Sequence, residues 1–486
     1  MTTNLGRSIS GPRILLADPP RIRRNPYSLQ FPNLGLLYLA AALRKEFSHA
    51  DICYVDSRHS MQQHFHKIQE FKPDIYALSF SSPYANICKH LINSVKKQNP
   101  DILVICGGAH PTAAPLEVLS NTSADICCIG EGENVFVDIV RRYLSGRYVD
   151  GVLGIAYRSD AGNIRQTEKS QLINDLDLLP FPAWDLIDHG DYTGCRKGRG
   201  KPSTVIVASR GCPFNCTFCS NPVWRCQKPY FRKRSPENIA KGVSNLYDAG
   251  IREIYIRSDT MNADEEWAIA VFKALSELKK HDLFFQCNLR AAPVGHRLAE
   301  AMADAQCWLC RIGIESGSQR VLNGINKGIT LAEVEQALQT LKRFNIKTYG
   351  FFMCYQLWEK NGDLHIESTE EVLNTLRYVL HLKKIGLLDF SSWSLATPYP
   401  GSELYDICSK YGFRAQFPKE PSIILPWDIT MNLPGISRTT IATIRFLGIL
   451  VQSLLLLSDR ESYTRHTFTT NLKHAVHKIM YAARLR

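Results

Sequence analysis

The sequence contains no apolar run long enough to cross a lipid bilayer. Its longest near-continuous apolar stretch, Phe446 to Leu457, is shorter than the roughly 18 residues that a transmembrane helix requires. The first residues, Met1 to Gly11, also lack the apolar centre of a secretory signal peptide. There is no internal repeat and no low-complexity tract. These absences favour a globular protein of the cytoplasm over a polytopic membrane protein or a secreted disulfide scaffold.

The charge and the cysteine content are the first positive signals. The chain has 486 residues, a length at which about three domains are expected. Its 58 Lys and Arg outnumber 46 Asp and Glu, giving a net charge of +12, which is compatible with anionic partners but identifies none. Fifteen cysteines in a chain of this kind point to metal or redox use for some of the thiols.

Two regions alternate short apolar runs with amphipathic stretches, the pattern of α/β folds with parallel sheets. The first region predicts a doubly wound sheet with strands at Ile14–Ala17, Ile52–Val55, Ile75–Phe80, Ile102–Cys106 and Ile126–Ile129. The second predicts a six-strand α/β barrel, closed or partial and open, with strands at Thr204–Ala208, Glu253–Ile256, Leu283–Gln286, Cys310–Ile314, Lys347–Met353 and Phe390–Leu395. Helices are expected between them, as at Pro236–Ala249 and Leu331–Phe344.

The stretch between these regions is irregular and reads as a linker with a small strand pair. After Pro400-Gly401 the pattern turns helical, and the end of the chain, Thr464 to Arg486, is basic. We therefore expect four segments: residues 12–150, 151–202, 203–405 and 406–486. The apolar stretch near the C-terminus is more simply a buried helix covering the active site than a membrane contact, because Gln452 and Ser453 interrupt it.

A loop after the first strand of the second region carries Cys212, Cys216 and Cys219 in a CxxxCxxC spacing. In a chain with this cysteine content the spacing arises by chance about once in a hundred such sequences. A structural zinc site is the alternative, but it would need a fourth ligand, for which Cys226 is the nearby option. Three thiolates on one loop instead suit an iron-sulfur cluster that leaves one iron open to a ligand from outside the protein.

These residues, with Phe218 before the third cysteine, resemble the radical S-adenosylmethionine (SAM) enzymes. The resemblance implies that Cys212, Cys216 and Cys219 hold a 4Fe-4S cluster whose open iron binds SAM, and that reductive cleavage of SAM gives a 5'-deoxyadenosyl radical. Further positions match the SAM-contacting ends of later strands in that family. They are Asp259, where the family more often has paired Asp, then Arg290, Gly313, Glu315 and Ser316, with Lys327-Gly328 behind them.

The loops of the first region resemble the cobalamin-binding domain of the cobalamin-dependent radical SAM class. The positions that match in order are Asn33, Gly35, Ser79, Gly107, Gly108, Pro111, Thr112, Gly130, Glu131 and Gly132. The loop Asp56-Ser57-Arg58-His59-Ser60 lacks the DxHxxG spacing that supplies a cobalt-ligating histidine in methionine-synthase-like domains, which implies cobalamin bound without such a ligand. His110 is more simply a core histidine than a ligand.

The resemblance implies a C-methyltransferase that moves a methyl group from SAM, through methylcobalamin, to an unactivated carbon after hydrogen abstraction. The enzyme alternative is an oxidative cyclase or ring-rearranging enzyme of the anaerobic magnesium-protoporphyrin ester cyclase type. A cobalamin- or redox-sensing regulator would need a DNA-binding motif, and none is recognisable. We expect a small-molecule substrate, anionic or lipid-like, an external one-electron donor of the flavodoxin or ferredoxin type, and no nucleic acid. Peripheral membrane contact stays open.

Overall fold

The computed structural model describes residues 11–20, 31–146, 149, 151–159, 161–192, 194, 198–225, 227–292, 294–413 and 428–457. Cys226 and the basic segment Thr464 to Arg486 lie outside these residues. The chain divides into two compact units. The first consists of residues 1–194, 223–232 and 418–424, and the second of residues 195–222, 233–417 and 425–486.

The first unit alternates strands and helices from its start. In chain order its elements are β1 (Arg13–Ala17), α1 (Leu34–Glu46), β2 (Asp51–Val55), α2 (Met61–Phe71), β3 (Ile75–Ser79), α3 (Ala85–Gln98), β4 (Leu103–Gly107), α4 (Ala109–Ala113), α5 (Pro115–Asn121), β5 (Ile126–Cys128), α6 (Gly132–Leu144), β6 (Ile155–Arg158) and β7 (Ile164–Gln166).

Its strands form one sheet in the order β2-β1-β3-β4-β5-β6-β7. Strands β1 to β5 are parallel. Helices cover both faces of the sheet, so most side chains of β1, β3, β4 and β5 are buried, whereas the edge strand β2 is partly exposed. The strand pair expected in the linker is present as β6 and β7, and it extends this sheet antiparallel to β5. Reversal of the strand order at β1 and β3 places the loops after β1 to β5 at the edge where ligands bind in such folds.

The second unit is built in the same alternating way. Its elements are β8 (Ser203–Val207), β9 (Ser209–Arg210), β10 (Arg232–Lys233, which begins at the end of the first unit), α7 (Pro236–Asp248), β11 (Glu253–Arg257), α8 (Glu265–Ser276), β12 (Phe284–Arg290), α9 (His296–Asp304), β13 (Cys307–Glu315), α10 (Gln319–Gly324), α11 (Leu331–Arg343), β14 (Lys347–Cys354), β15 (Leu357–Lys360), β16 (Asp363–Ile366), α12 (Thr369–Lys384), β17 (Phe390–Leu395), α13 (Glu403–Lys410) and α14 (Arg438–Leu457).

Six parallel strands of this unit form a sheet in the order β17-β14-β13-β12-β11-β8. With the helices between them they make the predicted partial (β/α)6 barrel, left open between its edge strands β8 and β17. One face of the sheet is apolar and fully buried, as Ile254, Cys310 and Ile312 show. The other face carries polar side chains along β11 to β13.

The C-terminal helix α14 packs on β17 and α12. Ile441, Ile444 and Ile449 are buried in that contact, whereas Phe446 is partly exposed. The apolar stretch that begins at Phe446 is therefore part of a helix, and this helix packs on the second unit through Ile441, Ile444 and Ile449. Within the described residues, no helix combines the length and apolar character that crossing a membrane requires.

Candidate functional site

The cysteine loop lies at the carboxyl end of β8 and is fixed to distant parts of the second unit. The backbone N–H of Thr217 donates to Ile325 O at 3.0 Å, and Leu404 N donates to Thr217 O at 2.9 Å. Asn326 Nδ2 donates to Asn215 O at 3.1 Å. The end of α10 and the start of α13 thus hold the loop that presents the three thiols.

The three thiols are half-buried, and none of them forms a disulfide within the described residues. Cys212 Sγ lies 3.4 Å from Thr260 Oγ1, and Asn221 N donates to Cys219 Sγ at 3.4 Å. The pKa of Cys219 is raised to about 11, chiefly by burial and to a smaller extent by the nearby thiols of Cys216 and Cys212. Neighbouring thiols of this kind ionise together when iron binds them, because metal binding releases their protons.

Within the described residues, no three His, Cys, Asp or Glu side chains converge on one point where a single metal ion would sit. A cubane cluster makes a different demand, because each of its irons takes one thiolate. Three neighbouring thiols on one fixed loop therefore fit a 4Fe-4S cluster better than a closed zinc site. The assignment of Cys212, Cys216 and Cys219 as cluster ligands stays a prediction.

Arg290 ends β12, and its guanidinium is buried against an aromatic ring. The residue is 7% exposed, and its Cζ lies 3.9 Å from the centroid of the Phe214 ring. Asn262 fixes its backbone: Arg290 N donates to Asn262 Oδ1 at 2.8 Å, and Asn262 Nδ2 donates to Arg290 O at 3.0 Å. Because no described residue forms an ion pair with Arg290, its buried fork is suited to an external carboxylate.

Glu315 ends β13 in a left-handed conformation, with φ of 71°, where the register with β14 shifts. Its Oε1 accepts a hydrogen bond from Lys327 Nζ at 2.8 Å, and both residues are buried. A Cβ on Gly313 would lie 2.5 Å from that oxygen and 2.8 Å from the ammonium. Gly313 is therefore needed for the ion pair to form, and backbone strain at Glu315 is typical of a binding site.

The other predicted SAM residues surround these two strand ends. Ser316 is fully buried, and its hydroxyl donates to Glu367 Oε1 at 3.3 Å. Asp259 is exposed after β11 and accepts a hydrogen bond from Asn221 Nδ2 at 2.6 Å. Phe218 is half-buried, with its ring centroid 5.8 Å from Lys327 Nζ. The roles of Asn262 and Phe214 are defined by their contacts with Arg290, and no sequence pattern indicated them.

In the first unit, the predicted cobalamin residues lie on the loops and helix starts at the carboxyl edge of the sheet. Gly108, with φ of 93°, packs so closely that a Cβ there would lie 2.8 Å from Phe80 O and 3.0 Å from Ser79 Oγ. Thr112 Oγ1 accepts a hydrogen bond from Gly130 N at 3.1 Å, which joins the loops after β4 and β5.

Small residues keep much of this edge free of side chains. A Cβ on Gly107 would make only ordinary contact, 3.9 Å from Cys128 Cβ, and one on Gly130 would have no neighbour within 4 Å. Gly35 is exposed in the first turn of α1, Pro111 is buried in α4, and Gly132 begins α6. An edge of bare backbone fits the approach of a flat ring such as a corrin.

Asn33 and Glu131 are engaged within the first unit. Asn33 Nδ2 donates to Asp18 Oδ1 at 2.7 Å, and Tyr54 OH donates to Asp18 Oδ2 at 2.6 Å. The guanidinium of Arg232 donates two hydrogen bonds, of 2.8 and 2.7 Å, to the carboxylate of Glu131, and both side chains are almost fully buried. The two residues are thus anchored, and any role in contacting cobalamin stays a prediction.

Two histidines of this unit make contacts inside the protein. His110 is buried with Nδ1 3.0 Å from Ser82 Oγ, and burial lowers its pKa to about 4, as for a core histidine. His59 Nδ1 lies 3.1 Å from Asp56 Oδ1. Burial opposes the charge of Asp56, but hydrogen bonds from His59 and Tyr192 outweigh it and lower the pKa to about 2.

Family models match parts of both units. Residues 21–140 match the B12 binding domain, and residues 206–357 match the Radical SAM superfamily. The fold and the two sites therefore define a radical SAM protein with an N-terminal cobalamin-binding domain.

One curated relative is the uncharacterized methyltransferase PH0819 of Pyrococcus horikoshii. It is 31% identical over 399 residues, which are 81% of this chain and 82% of the relative. The chain belongs to this family of radical SAM proteins with a B12-binding domain. The predicted family, fold class and cofactors (4Fe-4S cluster, SAM and cobalamin) are thereby confirmed.

Two further proteins extend the comparison. The anaerobic magnesium-protoporphyrin IX monomethyl ester cyclase of Rubrivivax gelatinosus is 28% identical over 392 residues, which are 77% of this chain and 66% of the relative. Among solved structures, the radical SAM methyltransferase TsrM from Kitasatospora setae, with cobalamin and a 4Fe-4S cluster bound, covers 97% of this chain and 89% of its own, with a TM-score of 0.64 and 14% identity. The TsrM likeness establishes the shared fold.

Proposed function

We propose that the protein is a cobalamin-dependent radical SAM C-methyltransferase that transfers a methyl group from SAM to an unactivated carbon of a small molecule. The observation that carries the proposal is the convergence, at one end of the six-stranded sheet, of the tethered cysteine loop, the unpaired Arg290 and the strained Glu315. The methyltransferase name of the Pyrococcus horikoshii relative supports the choice of reaction.

Different residues of the second unit would hold the cluster and SAM. Cys212, Cys216 and Cys219 would hold the cluster, and Arg290 would receive the carboxylate of SAM. Glu315, with one oxygen neutralised by Lys327, would accept hydrogen bonds from its ribose hydroxyls. The bound cofactors supply the electron that cleaves SAM, the radical that removes a hydrogen atom, and a carrier for the methyl group.

The chain's own contribution is to fix positions. Asn262 holds the backbone of Arg290 from both sides, so the guanidinium needs little reorganisation when a carboxylate arrives. The absent Cβ of Gly313 leaves room for the ion pair of Glu315 and Lys327, which keeps the Glu315 carboxylate from swinging away. No general base is required, because the hydrogen leaves an unactivated carbon as an atom.

The alternative is an oxidative cyclase or ring-rearranging enzyme, which the likeness to the Rubrivivax gelatinosus cyclase favours. The two reactions differ in their SAM products. Methylation yields both S-adenosylhomocysteine and 5'-deoxyadenosine, whereas cyclisation yields 5'-deoxyadenosine without stoichiometric S-adenosylhomocysteine. A regulator would yield neither catalytically.

The test is anaerobic reconstitution of the full chain with iron, sulfide and hydroxocobalamin, followed by optical spectra and analysis of the SAM products. Wild type is expected to show cluster absorption and reductant-dependent SAM cleavage, and Cys216→Ala is expected to lose both. Cys53→Ala removes a half-buried thiol of the first unit and serves as the control, which should match wild type. Unchanged cleavage in Cys216→Ala would overturn the cluster assignment.

The proposal also requires an external one-electron donor of the flavodoxin or ferredoxin type, which supplies the electron for SAM cleavage. It places the protein in a reducing cytoplasm, because a cluster of this class is oxidised by air.

Peripheral membrane contact through α14 is the weaker idea, since the helix already buries Ile441, Ile444 and Ile449 against its own unit. Flotation of the holoprotein with liposomes tests it, and the protein is expected to stay at the bottom of the gradient.

A further inference from the structure

A row of polar side chains crosses the face of the six-stranded sheet that turns away from the helices. Asn288 on β12 pairs in register with Arg311 on β13, and Arg311 pairs with Tyr349 on β14. On β11, Tyr255 pairs with Gln286 of β12. Arg257 and Asn288 each lie two residues further along their strands, so Arg257 is level with Asn288 and belongs to the same row. Branched apolar residues usually fill this layer in α/β barrels, which makes a polar row unusual.

Arg311 is held in the middle of this row without an ion pair. Its Cζ lies 4.7 Å from the ring centroid of Tyr255 and 5.8 Å from that of Tyr349. Its Nη2 donates to Gln286 Oε1 at 2.8 Å, whereas its buried Nε has no hydrogen-bond partner. The described residues provide no carboxylate for this guanidinium.

Among the described residues, the Glu253 carboxylate is linked to Arg311 only through Gln286, and it accepts three hydrogen bonds from groups other than Arg311. Glu253 Oε1 accepts hydrogen bonds from Gln286 Nε2 at 2.7 Å and Trp308 Nε1 at 2.8 Å, and its Oε2 accepts one from Gly200 N at 3.0 Å. Gln286 stands between the carboxylate and Arg311. The charge of Arg311 is therefore not neutralised by direct contact.

Arg257 adds a second unpaired cation to the same face. The residue is exposed and forms no ion pair within the described residues, although the carboxylate of Asp259, two residues further on, lies within its electrostatic reach. Burial raises the pKa of Tyr255, and Arg311 and Arg257 both oppose that shift, so both charges lie within electrostatic reach of the Tyr255 hydroxyl. That hydroxyl donates to Asn288 Oδ1 at 2.7 Å.

We infer that Arg257 and Arg311 bind a doubly charged oxyanion of the substrate, a phosphate monoester being the class that best matches two guanidinium forks. The inference rests on the proposed function, whose substrate it specifies. The carboxylate of SAM is a separate ligand, because Arg290 lies one step further along the face, in register with Gly313. Asn288, between the two arginines, holds the Tyr255 ring beside Arg311.

The test measures binding of phenyl phosphate to the reconstituted full chain by calorimetry, with benzoate and benzyl alcohol as singly charged and neutral probes of similar size. Wild type is expected to bind phenyl phosphate at least tenfold more tightly than benzoate, with no detectable binding of benzyl alcohol. Arg311→Gln and Arg257→Gln are each expected to weaken phenyl phosphate at least tenfold. Arg165→Gln removes an exposed charge of the first unit and is expected to change the Kd less than twofold.

Arg311→Lys guards against misfolding as the explanation, because it keeps the charge but lacks the fork and should bind phenyl phosphate more weakly than wild type with an unchanged Tm. Equal binding by wild type and both glutamine variants, or no binding by wild type, overturns the inference. SAM cleavage by wild type is measured separately. Its absence would overturn the proposed function, whereas cleavage without arginine-dependent phosphate binding would remove only the substrate class.

Discussion

The ammonium of Lys327 lies 2.8 Å from Glu315 Oε1, and each side chain is only 9% exposed. This ion pair joins the end of β13 to the segment that follows α10, across the position of Gly313. Each of these buried charges stabilises the other. If one were removed, the desolvation free energy of the remaining charge would no longer be offset by an attractive partner.

Replacing Lys327 by Met is therefore expected to lower the free energy of unfolding by about 3–5 kcal/mol, since it leaves Glu315 as an unpaired buried charge. The double variant Lys327→Met/Glu315→Gln should recover most of that loss. Chemical unfolding curves measure both effects. Arg297→Gln breaks an exposed pair with Glu266 and is the control, with a change of less than about 1 kcal/mol. If Lys327→Met were as stable as wild type, the prediction would be contradicted.

Gly108 and Gly107 are neighbours with different expected responses to alanine. Gly108→Ala should lower the free energy of unfolding by roughly 1–3 kcal/mol, because its φ is 93° and a Cβ would meet Phe80. Gly107→Ala should leave stability almost unchanged, because its Cβ makes only ordinary contact. If Gly107 contacts the corrin, that variant still weakens cobalamin binding, measured by titration with hydroxocobalamin. Unchanged cobalamin affinity would remove Gly107 from the site.

Glu367 is expected to make the second unit less stable as the pH rises. The carboxyl is fully buried beside Ser316 and Gln356 N, and burial raises its pKa to about 8 from 4.5. The folded chain then keeps a proton that the unfolded chain releases between these values, so the contribution of Glu367 to stability is greatest below pH 4.5 and is lost as the pH rises towards 8. The slope approaches 1.4 kcal/mol per pH unit.

Glu367→Gln imitates the protonated side chain, so its unfolding free energy should lose this slope. Urea unfolding at a series of pH values between 5 and about 8 measures the difference from wild type. Glu266→Gln, on the exposed surface, is the control and should keep the wild-type slope. Identical slopes for wild type and Glu367→Gln would show that Glu367 is ionised in the folded protein.

Variants of Glu131 and Arg232 can distinguish two roles for Glu131, which are direct contact with cobalamin and positioning of the loop that follows β5. Because their forked hydrogen bonds are buried, Glu131→Gln and Arg232→Gln should each lower stability by about 3–5 kcal/mol. If Glu131 only positions the loop after β5, both variants weaken cobalamin binding to the same extent. We expect this equal loss in hydroxocobalamin titrations; a loss confined to Glu131→Gln would indicate direct contact.

Periodicity predicted the strands well because most of them are apolar and buried on both faces. It shortened β12, which was expected at Leu283–Gln286 but runs from Phe284 to Arg290. The missed part alternates polar Asn288 and Arg290 with buried Cys287 and Leu289, the pattern of a strand whose second face is open to a ligand. The predicted strand therefore ended before Asn288, the residue of β12 that belongs to the polar row.

The contacts between side chains were beyond the reach of sequence patterns. The motif order identified Arg290 and Glu315, yet nothing in the spacing paired Glu315 with Lys327 or placed Asn262 on the backbone of Arg290. Glu131 shows the same limit, since its partner Arg232 is far along the chain. Such pairs arise from tertiary packing, which a local pattern does not record.

The anchoring of the cysteine loop has a consequence for the order of biosynthesis. Thr217 is held by Ile325 and by Leu404, and Leu404 leaves the ribosome long after the last of the three cysteines. The loop acquires its final shape only when the barrel is almost completely synthesised. Iron and sulfide are therefore expected to be loaded after translation, onto a finished barrel rather than a nascent chain.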